Sequence, residues 1–391
     1  MEKRKGITLS DAQRLSWLQL IRSENVGAVT FINLIEHFGS ASNALAALPE
    51  LSIKGGKGKP IRIASRKDAE QELERAEKIG VRFVGVGEPD YPPYLRAAET
   101  PPPLVAIKGN CDCFFSPSVG VVGSRNASAT GKKLTTLFCQ KLGETGFKII
   151  SGLARGVDTA AHISSLETGT IAVMAGGIDH IYPPENNTLY EKILEKGGAI
   201  ISEMPIGALP RAQDFPRRNR IIAGLSLGVL VCEAAIRSGS LITARMAAEM
   251  GRIVFAIPGS PLDPRAQGTN NIIKEGALLV TRPEDIAETL LPLTTSNENQ
   301  TSLFAPVDSI EETGQTKIDN TEARDIDAND KERDAIIDAL STTPIDIETL
   351  SNSSGVPIDK IYLILVELDL AGKLVRHSGG LVSLAFNDFP R

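Results

Sequence analysis

The sequence predicts an α/β protein: a doubly wound, mostly parallel, Rossmann-like sheet with helical material before it and a winged-helix unit after it. Three observations lead there. From Val119 onward, seven short apolar runs alternate with amphipathic segments. Glycine-rich turns follow most of those runs. A polar, acidic stretch then separates this body from a C-terminal unit with a different pattern.

The apolar runs are Val119–Val122, Lys148–Ser151, Ile171–Met174, Ala199–Ser202, Gly228–Cys232, Ile253–Ile257 and Ala277–Val280. Candidate helices lie between them, around 130–145, 157–168, 186–196, 217–225, 241–250 and 270–275, with another at 283–290. Apolar strands separated by amphipathic helices indicate βαβ units and a parallel sheet covered on both faces. In such sheets ligands bind beyond the carboxyl ends of the strands. Before this body, Leu15, Leu18, Leu20 and Ile21 form one helical stripe, and Phe31, Ile32, Leu34, Ile35 and Phe38 form another. A third short helix covers Ala41 to Leu48, and a basic glycine-rich loop follows at 54–59. A helix from Lys67 to Ile79 leads to a strand at Val81–Val84, and the prolines at 92–93 and 101–103 read as extended connectors. After the body, Arg333–Leu340, Asp346–Ser354 and Pro357–Ala371 read as three helices, and 373–376 with 381–384 as two short strands. Three helices and a β-hairpin make a winged-helix pattern.

Four segments are therefore expected: an N-terminal helical domain over 1–85, the Rossmann-like domain over 86–290, a linker over 291–330 and the winged-helix domain over 331–391. The linker holds nine acids and two bases, a net charge of −7, which leaves +1 for the rest of the chain. It is rich in polar residues and poor in large apolar ones, so it cannot offset the entropy of ordering. The total of −6 thus does not exclude a polyanionic partner, because local clustering of Lys and Arg decides that. The 391 residues are 42% hydrophobic, enough for a sizeable core. No run approaches a membrane span, and no apolar stretch follows the charged start Met1–Lys5, so neither a membrane anchor nor a secretory signal is expected. Cys111, Cys113, Cys139 and Cys232 form no CxxC pair, which suits reduced thiols in a cytoplasmic protein. The histidines, His37, His162, His180 and His377, show no metal-ligand spacing, and neither metal nor cofactor is expected.

Four motifs carry chemistry. Gly120-Val-Val-Gly-Ser-Arg-Asn126 ends the first run. Gly123 lets a ligand approach the backbone, while Ser124 and the N–H groups of the next helix start suit an anion. Arg125 offers a planar fork for phosphate. The same residues also read as a plain structural turn. The spacing is not GxGxxG, and Ser151-Gly152 stands where an NAD site needs an acid for the ribose. In the second motif, Ser151 to His162, Asp158 and His162 lie four apart on a helix. They read either as an acid–base pair or as a carboxylate favoured by the helix N-terminus beside a packed histidine. The third motif places Arg217, Arg218, Asn219 and Arg220 at a helix start beside Phe215. Arginine forks with a stacking surface suit a single strand with unstacked bases; a solvated cationic cluster is the alternative. In the fourth, Ser238, Gly239, Ser240 and Thr243 supply hydroxyls and amides at a helix N-terminus. Pro258-Gly259-Ser260 and Gln267–Asn271 follow the next run, and together these turns describe an anion-binding lip. The chain has no Walker A loop and no GxSxG elbow.

Gly123-Ser-Arg125, Ser151-Gly-Leu-Ala-Arg-Gly-Val-Asp158, Phe215-Pro-x-Arg-Asn-Arg-Ile-Ile222, Glu233-Ala234, Ser238-Gly-Ser-Leu-Ile-Thr-Ala244 and Pro258-Gly259 together resemble the signature of the bacterial DNA-processing protein A family (DprA, also called Smf). The match runs in order from about Pro92 to Leu290. The resemblance implies a binding protein rather than an enzyme. Such a protein binds incoming single-stranded DNA in natural transformation, protects it and loads the RecA recombinase onto it. It also implies a homodimer formed through the Rossmann-like domain, and an N-terminal SAM-like domain. Carried over residue by residue, Arg125 becomes a DNA-backbone contact. Arg218, Asn219 and Arg220 fall at the basic pocket, and Ser238, Gly239, Ser240 and Thr243 match the SGSxxTA turn. The stretch after Asp158, through His162, departs from the family pattern. Asn25-Val-Gly-Ala-Val-Thr30 resembles a helix-hairpin-helix turn with one glycine missing, and reads either as a phosphate contact or as packing of a small helical domain. The third C-terminal helix carries Asp359, Lys360, Glu367 and Asp369, a net −2 where a groove-reading helix should be basic. Protein contact or regulation is expected of that unit.

Two other function classes stay open. One is a hydrolase resembling nucleotide phosphoribohydrolases, with Asp158 or Glu233 assisting. Against it, Pro258-Gly-Ser is followed by Pro261, which has no N–H to offer. The other is a nucleotide-sensing adaptor, which would bind mononucleotides without turnover.

Overall fold

The computed structural model describes residues 7–57, 60–295 and 328–385. Their contacts divide them into two compact units, a sheet unit from Glu72 onward to 295, and a helical unit that joins 7–71 with 328–385. Residues 296–327 of the expected linker, and Gly58-Lys59 of the basic loop, lie outside the described residues.

Helix α1 (Asp11–Ile21) opens on a capping box. Ser10 Oγ accepts from Gln13 N, and Gln13 Oε1 accepts from Ser10 N, so two otherwise orphaned donors are satisfied. Helices α2 (Ala28–Phe38) and α3 (Ala41–Ser52) follow. The expected stripes are buried at Leu15, Leu18, Leu20, Phe31, Leu34 and Ile35. Trp17 joins them, edge-on to Phe31 at 5.0 Å. Helix α4 (Arg66–Lys78) carries the chain from the helical unit into the sheet unit.

The sheet unit is a nine-stranded sheet with helices between its strands. Its elements run β1 (Arg82–Gly85), α5 (Pro93–Arg96), β2 (Leu104–Gly109), β3 (Ser118–Val122), α6 (Ala129–Glu144), β4 (Lys148–Ser151), α7 (Val157–Ser164) and β5 (Thr170–Val173). They continue with α8 (Asn187–Glu195), β6 (Ala199–Ser202), α9 (Asp214–Leu225), β7 (Gly228–Val231), α10 (Gly239–Glu249), β8 (Ile253–Ala256), α11 (Gln267–Lys274), β9 (Leu278–Leu279) and α12 (Pro283–Thr295). The strand order is β1-β2-β6-β5-β4-β3-β7-β8-β9. All pairings from β6 to β9 are parallel, while β2 runs antiparallel to both β1 and β6. The doubly wound, mostly parallel sheet expected from the alternating runs is therefore present. Strand β2 is the element the sequence reading passed over. The prolines at 101–103 sit just before its first residue, where they remove no ladder donor. The central strands β3, β5, β6 and β7 are buried along their whole length, which is why they read as continuous apolar runs. Each fully buried Val, Leu or Ile there contributes about 1.5–3 kcal/mol.

The helical unit is completed by α13 (Asp330–Ala339), α14 (Ile347–Ser354), α15 (Ile358–Leu370) and the hairpin β10 (Leu374–Arg376) with β11 (Val382–Leu384). This is the winged-helix order. Helix α15 is buried along most of its length. Its Glu367 receives a two-pronged bond from Arg333 Nε and Nη2, both at 2.8 Å. Its Asp369 accepts from Arg376 Nε at 2.8 Å and from Thr30 Oγ1 at 3.1 Å. The turn before α2 packs against the same helix. Asn25 takes the left-handed conformation, with φ 60, and its Nδ2 donates to the Leu370 carbonyl at 2.9 Å. Of the two readings of the Asn25–Thr30 turn, the geometry supports packing.

Candidate nucleic-acid interface

The chain adds β4, β5 and β6 to one side of β3, then crosses back to lay β7, β8 and β9 on the other. The carboxyl ends of β3 and β7 therefore sit at the point where the winding reverses, the usual ligand position in such sheets. Gly123-Ser124-Arg125 leaves β3 there, and Cys232-Glu233 leaves β7 beside it. Ser124 N donates to the Glu233 carbonyl at 2.7 Å. The Glu233 carboxylate accepts from Ser128 N at 3.1 Å and Ser128 Oγ at 2.6 Å. Ser128 in turn caps α6 through Gly131 N. The anion position expected at this helix start thus holds the protein's own carboxylate, where the helix dipole favours negative charge. Arg125 is left at the end of a braced loop, exposed to solvent.

A pocket opens beside it, lined by Arg125, Gly152, Arg155, Tyr182, Pro210 and Phe215 together with Met174 to Gly176 and His180. The Arg125 guanidinium lies 4.8 Å from the centre of the Phe215 ring, a cation–π distance. Tyr182 meets the same ring edge-on at 6.0 Å. Arg155 is exposed at the rim and paired with Glu185 at 2.5 Å. Leu153, behind the pocket, is buried yet holds φ 56, and Asn186 Nδ2 secures its carbonyl at 2.8 Å. A non-glycine residue held in that region costs on the order of 1–3 kcal/mol, and such strain clusters at functional sites.

Three of the residues singled out from the sequence, Arg125, Gly152 and Phe215, line this pocket. Arg217 lies exposed on the first turns of α9. Arg218 is buried at 5% exposure, with Nη1 donating to the carbonyls of Gly152 and, at 3.0 Å, Val173. Arg220 turns elsewhere, to the Thr100 carbonyl at 2.9 Å and to Glu203. Asn219 bridges α9 to the start of α10 through the Gly239 carbonyl at 3.3 Å. There Ser238 caps the helix and shares a 2.7 Å hydroxyl contact with Ser240, while Thr243 is buried. Those α10 residues do not line the pocket. Nor is the Gly259 amide free, because Asn270 Oδ1 accepts from it at 3.2 Å. Gly123 is required by close packing, since a Cβ there would stand 2.6 Å from Val157.

Asp158 and His162 do not pair. Asp158 accepts from Gly152 N and Ala154 N, each at 3.2 Å. Burial raises its pKa, and the Arg218 charge opposes the rise. His162 Nδ1 meets Thr170 Oγ1 at 2.8 Å, and burial, then the charge of Arg218, holds the ring neutral down to about pH 3. Among the described residues no cluster of three or more His, Cys, Asp or Glu could hold a metal ion, and no helix is long and apolar enough to cross a membrane. The sequence reading missed the wall formed by Tyr182-Pro183 and the floor at Met174–Gly176. Ala175-Gly-Gly177, a small-residue turn directly after β5, was the signal for the floor.

Comparison with known proteins agrees with this architecture. Residues 82–291 match the family described as DNA recombination-mediator protein A. Residues 11–75 match a DprA-like N-terminal HHH domain and 320–380 a DprA winged helix domain. Protein Smf of Escherichia coli (strain K12) is 39% identical over 327 residues, which cover 82% of each chain. DNA processing protein DprA of Streptococcus pneumoniae (strain ATCC BAA-255 / R6) is 48% identical over 198 residues, 50% of this chain and 70% of the relative. The X-ray structure of Streptococcus pneumoniae DprA superposes with a TM-score of 0.58 at 36% identity, covering 73% of this chain and 98% of that one. A Helicobacter pylori DNA processing protein A, whose structure is described for its single-stranded DNA binding mode, gives 0.50 at 27% identity, covering 54% and 96%. On the recombination-mediator match across more than half of its length, and on the Smf relative matched over four fifths of both chains, this protein belongs to the DNA recombination-mediator protein A family.

Proposed function

We propose that the protein binds single-stranded DNA without regard to sequence, protects it during natural transformation and delivers it to the RecA recombinase. One observation carries the reading. An exposed arginine fork, Arg125, lies over the half-buried ring of Phe215 at the mouth of a pocket beyond the carboxyl ends of β3, β4 and β5. Guanidinium groups take the phosphates, and Phe215 and Tyr182 offer surfaces to unstacked bases, which a duplex keeps stacked. Arg217 adds charge on the same helix as Phe215. The single-stranded DNA mode of the Helicobacter pylori relative supports the choice of ligand. RecA follows from the family resemblance, as does a homodimer through the sheet unit. The outermost strand β9, with Leu278 and Leu279 exposed at 45% and 52%, supports that assembly. Cytoplasmic residence belongs to the same reading, and the four free, buried cysteines suit it.

The test is fluorescence anisotropy of a labelled single strand and the matching duplex across a salt series. Wild type is expected to prefer the single strand, with log affinity falling linearly with log salt. Arg125→Ala with Arg217→Ala should flatten that slope by about 1.4, at about 0.7 per lost phosphate contact. Absence of polymer binding at low salt, or equal binding of duplex, sinks the reading.

A further inference from the structure

We propose that Arg218 and Asp158 form a buried clamp on Gly152, and that Arg218 is a positioning residue for the strand-binding pocket rather than a phosphate contact. The proposal rests on the single-strand reading above and refines which residues serve it. Arg218 is shut away from solvent, whereas Arg125 and Arg217 face it. Its Nη1 holds the carbonyls of Gly152, just after β4, and Val173, the last residue of β5. Its Nε donates to Asn219 Oδ1 at 3.2 Å. From the first turn of α7, Asp158 takes the N–H of the same Gly152 at 3.2 Å. Both polar groups of one pocket-lining residue are therefore fixed by a buried, oppositely charged couple. The guanidinium also lies 5.9 Å from the Phe215 ring centre, so the clamp reaches the aromatic wall as well as the floor.

Gly152 records the same constraint. A Cβ built there would stand 1.6 Å from Arg218 Nη1. Glycine at this position and arginine at 218 are thus one structural solution. Burial lowers the arginine's pKa and raises the carboxyl's, while each charge opposes the other's shift. A guanidinium buried in this way releases no counterion when DNA binds. Its removal should weaken binding without altering the salt dependence.

The experiment measures single-strand affinity and its salt slope for full-length wild type, Arg218→Met, Arg218→Lys, Gly152→Ala and Arg125→Ala, with circular dichroism and melting on the same samples. Arg125→Ala should flatten the slope by about 0.7. Arg218→Met and Gly152→Ala should each bind about tenfold more weakly at fixed salt, with the wild-type slope. Arg218→Lys should be equally weak, because an ammonium cannot reproduce a rigid fork between two carbonyls. Flattening by about 0.7 in Arg218→Met, or wild-type affinity in Arg218→Lys, overturns the clamp and leaves the single-strand reading standing. Variants that melt early yet bind at wild-type affinity while folded also overturn it, since the residue would then serve only the fold. If wild type binds no single strand, the clamp falls together with the reading beneath it.

Discussion

His162 shows how one residue's surroundings set a property of the whole sheet unit. Fully buried, it is held neutral, with its pKa near 3 rather than 6.5. The unfolded chain takes up the proton first as pH falls. The stability present above about 6.5 is therefore lost progressively on the way down to 3. Between pH 7.5 and 5 the loss from this group is about 2 kcal/mol. His162→Gln, which keeps a polar partner for Thr170, should remove that share of the decline. Urea denaturation of both proteins at the two pH values checks it, and parallel declines would contradict it. At this scale the sequence was only partly legible. Arg125 and Phe215 could be found because a fork and an aromatic beside small-residue turns have a recognisable pattern. That Arg218 would be buried and Arg220 tied to Glu203 could not, because three arginines within four positions of one helix point in different directions.

Elements were more legible than side chains. The seven apolar runs return as strands within a residue or two, since burial on both faces leaves continuous hydrophobic stretches. Strand β2 was hidden behind its prolines, and its antiparallel pairing with β6 has no local signal. Strand β9 is the element with the most direct consequence for assembly. It ends the sheet with two exposed leucines and an open edge, a natural surface for a second copy. If the homodimer proposed above forms along this edge, Leu278→Asp with Leu279→Asp should convert it to monomer in sedimentation, without loss of helical or sheet signal. An unchanged dimer mass would place the interface elsewhere.

At the scale of the whole molecule the chain is two units, and the helical one carries its own reporter. The single tryptophan, Trp17, is buried in the helical unit, so its fluorescence follows that unit alone. Arg333→Met would leave Glu367, 1% exposed, without its buried partner. Losing one member of such a pair costs about 3–5 kcal/mol. The tryptophan transition in urea should move to lower concentration, reporting a loss of that size, while the single-strand affinity proposed for the sheet unit stays at wild type. A shift of about 1 kcal/mol or less, the scale of an exposed pair, would contradict it. No reading of the sequence alone pointed to Arg333, because ion pairs between distant segments leave no periodicity.

The helical unit is built from the chain segments that precede and follow the sheet unit in sequence, and this has a consequence for biosynthesis. Residues 7–71 leave the ribosome early, but Asn25 and Thr30 find their partners only on α15. About 340 residues separate them from those partners, which at about 5–20 residues per second is a delay of about 17–70 s. Through that interval the apolar surface around α2 and α3 waits uncovered, while the sheet unit has time to fold. The order of translation thus makes the pocket beside Arg125 the first part of the protein to mature and the helical unit the last.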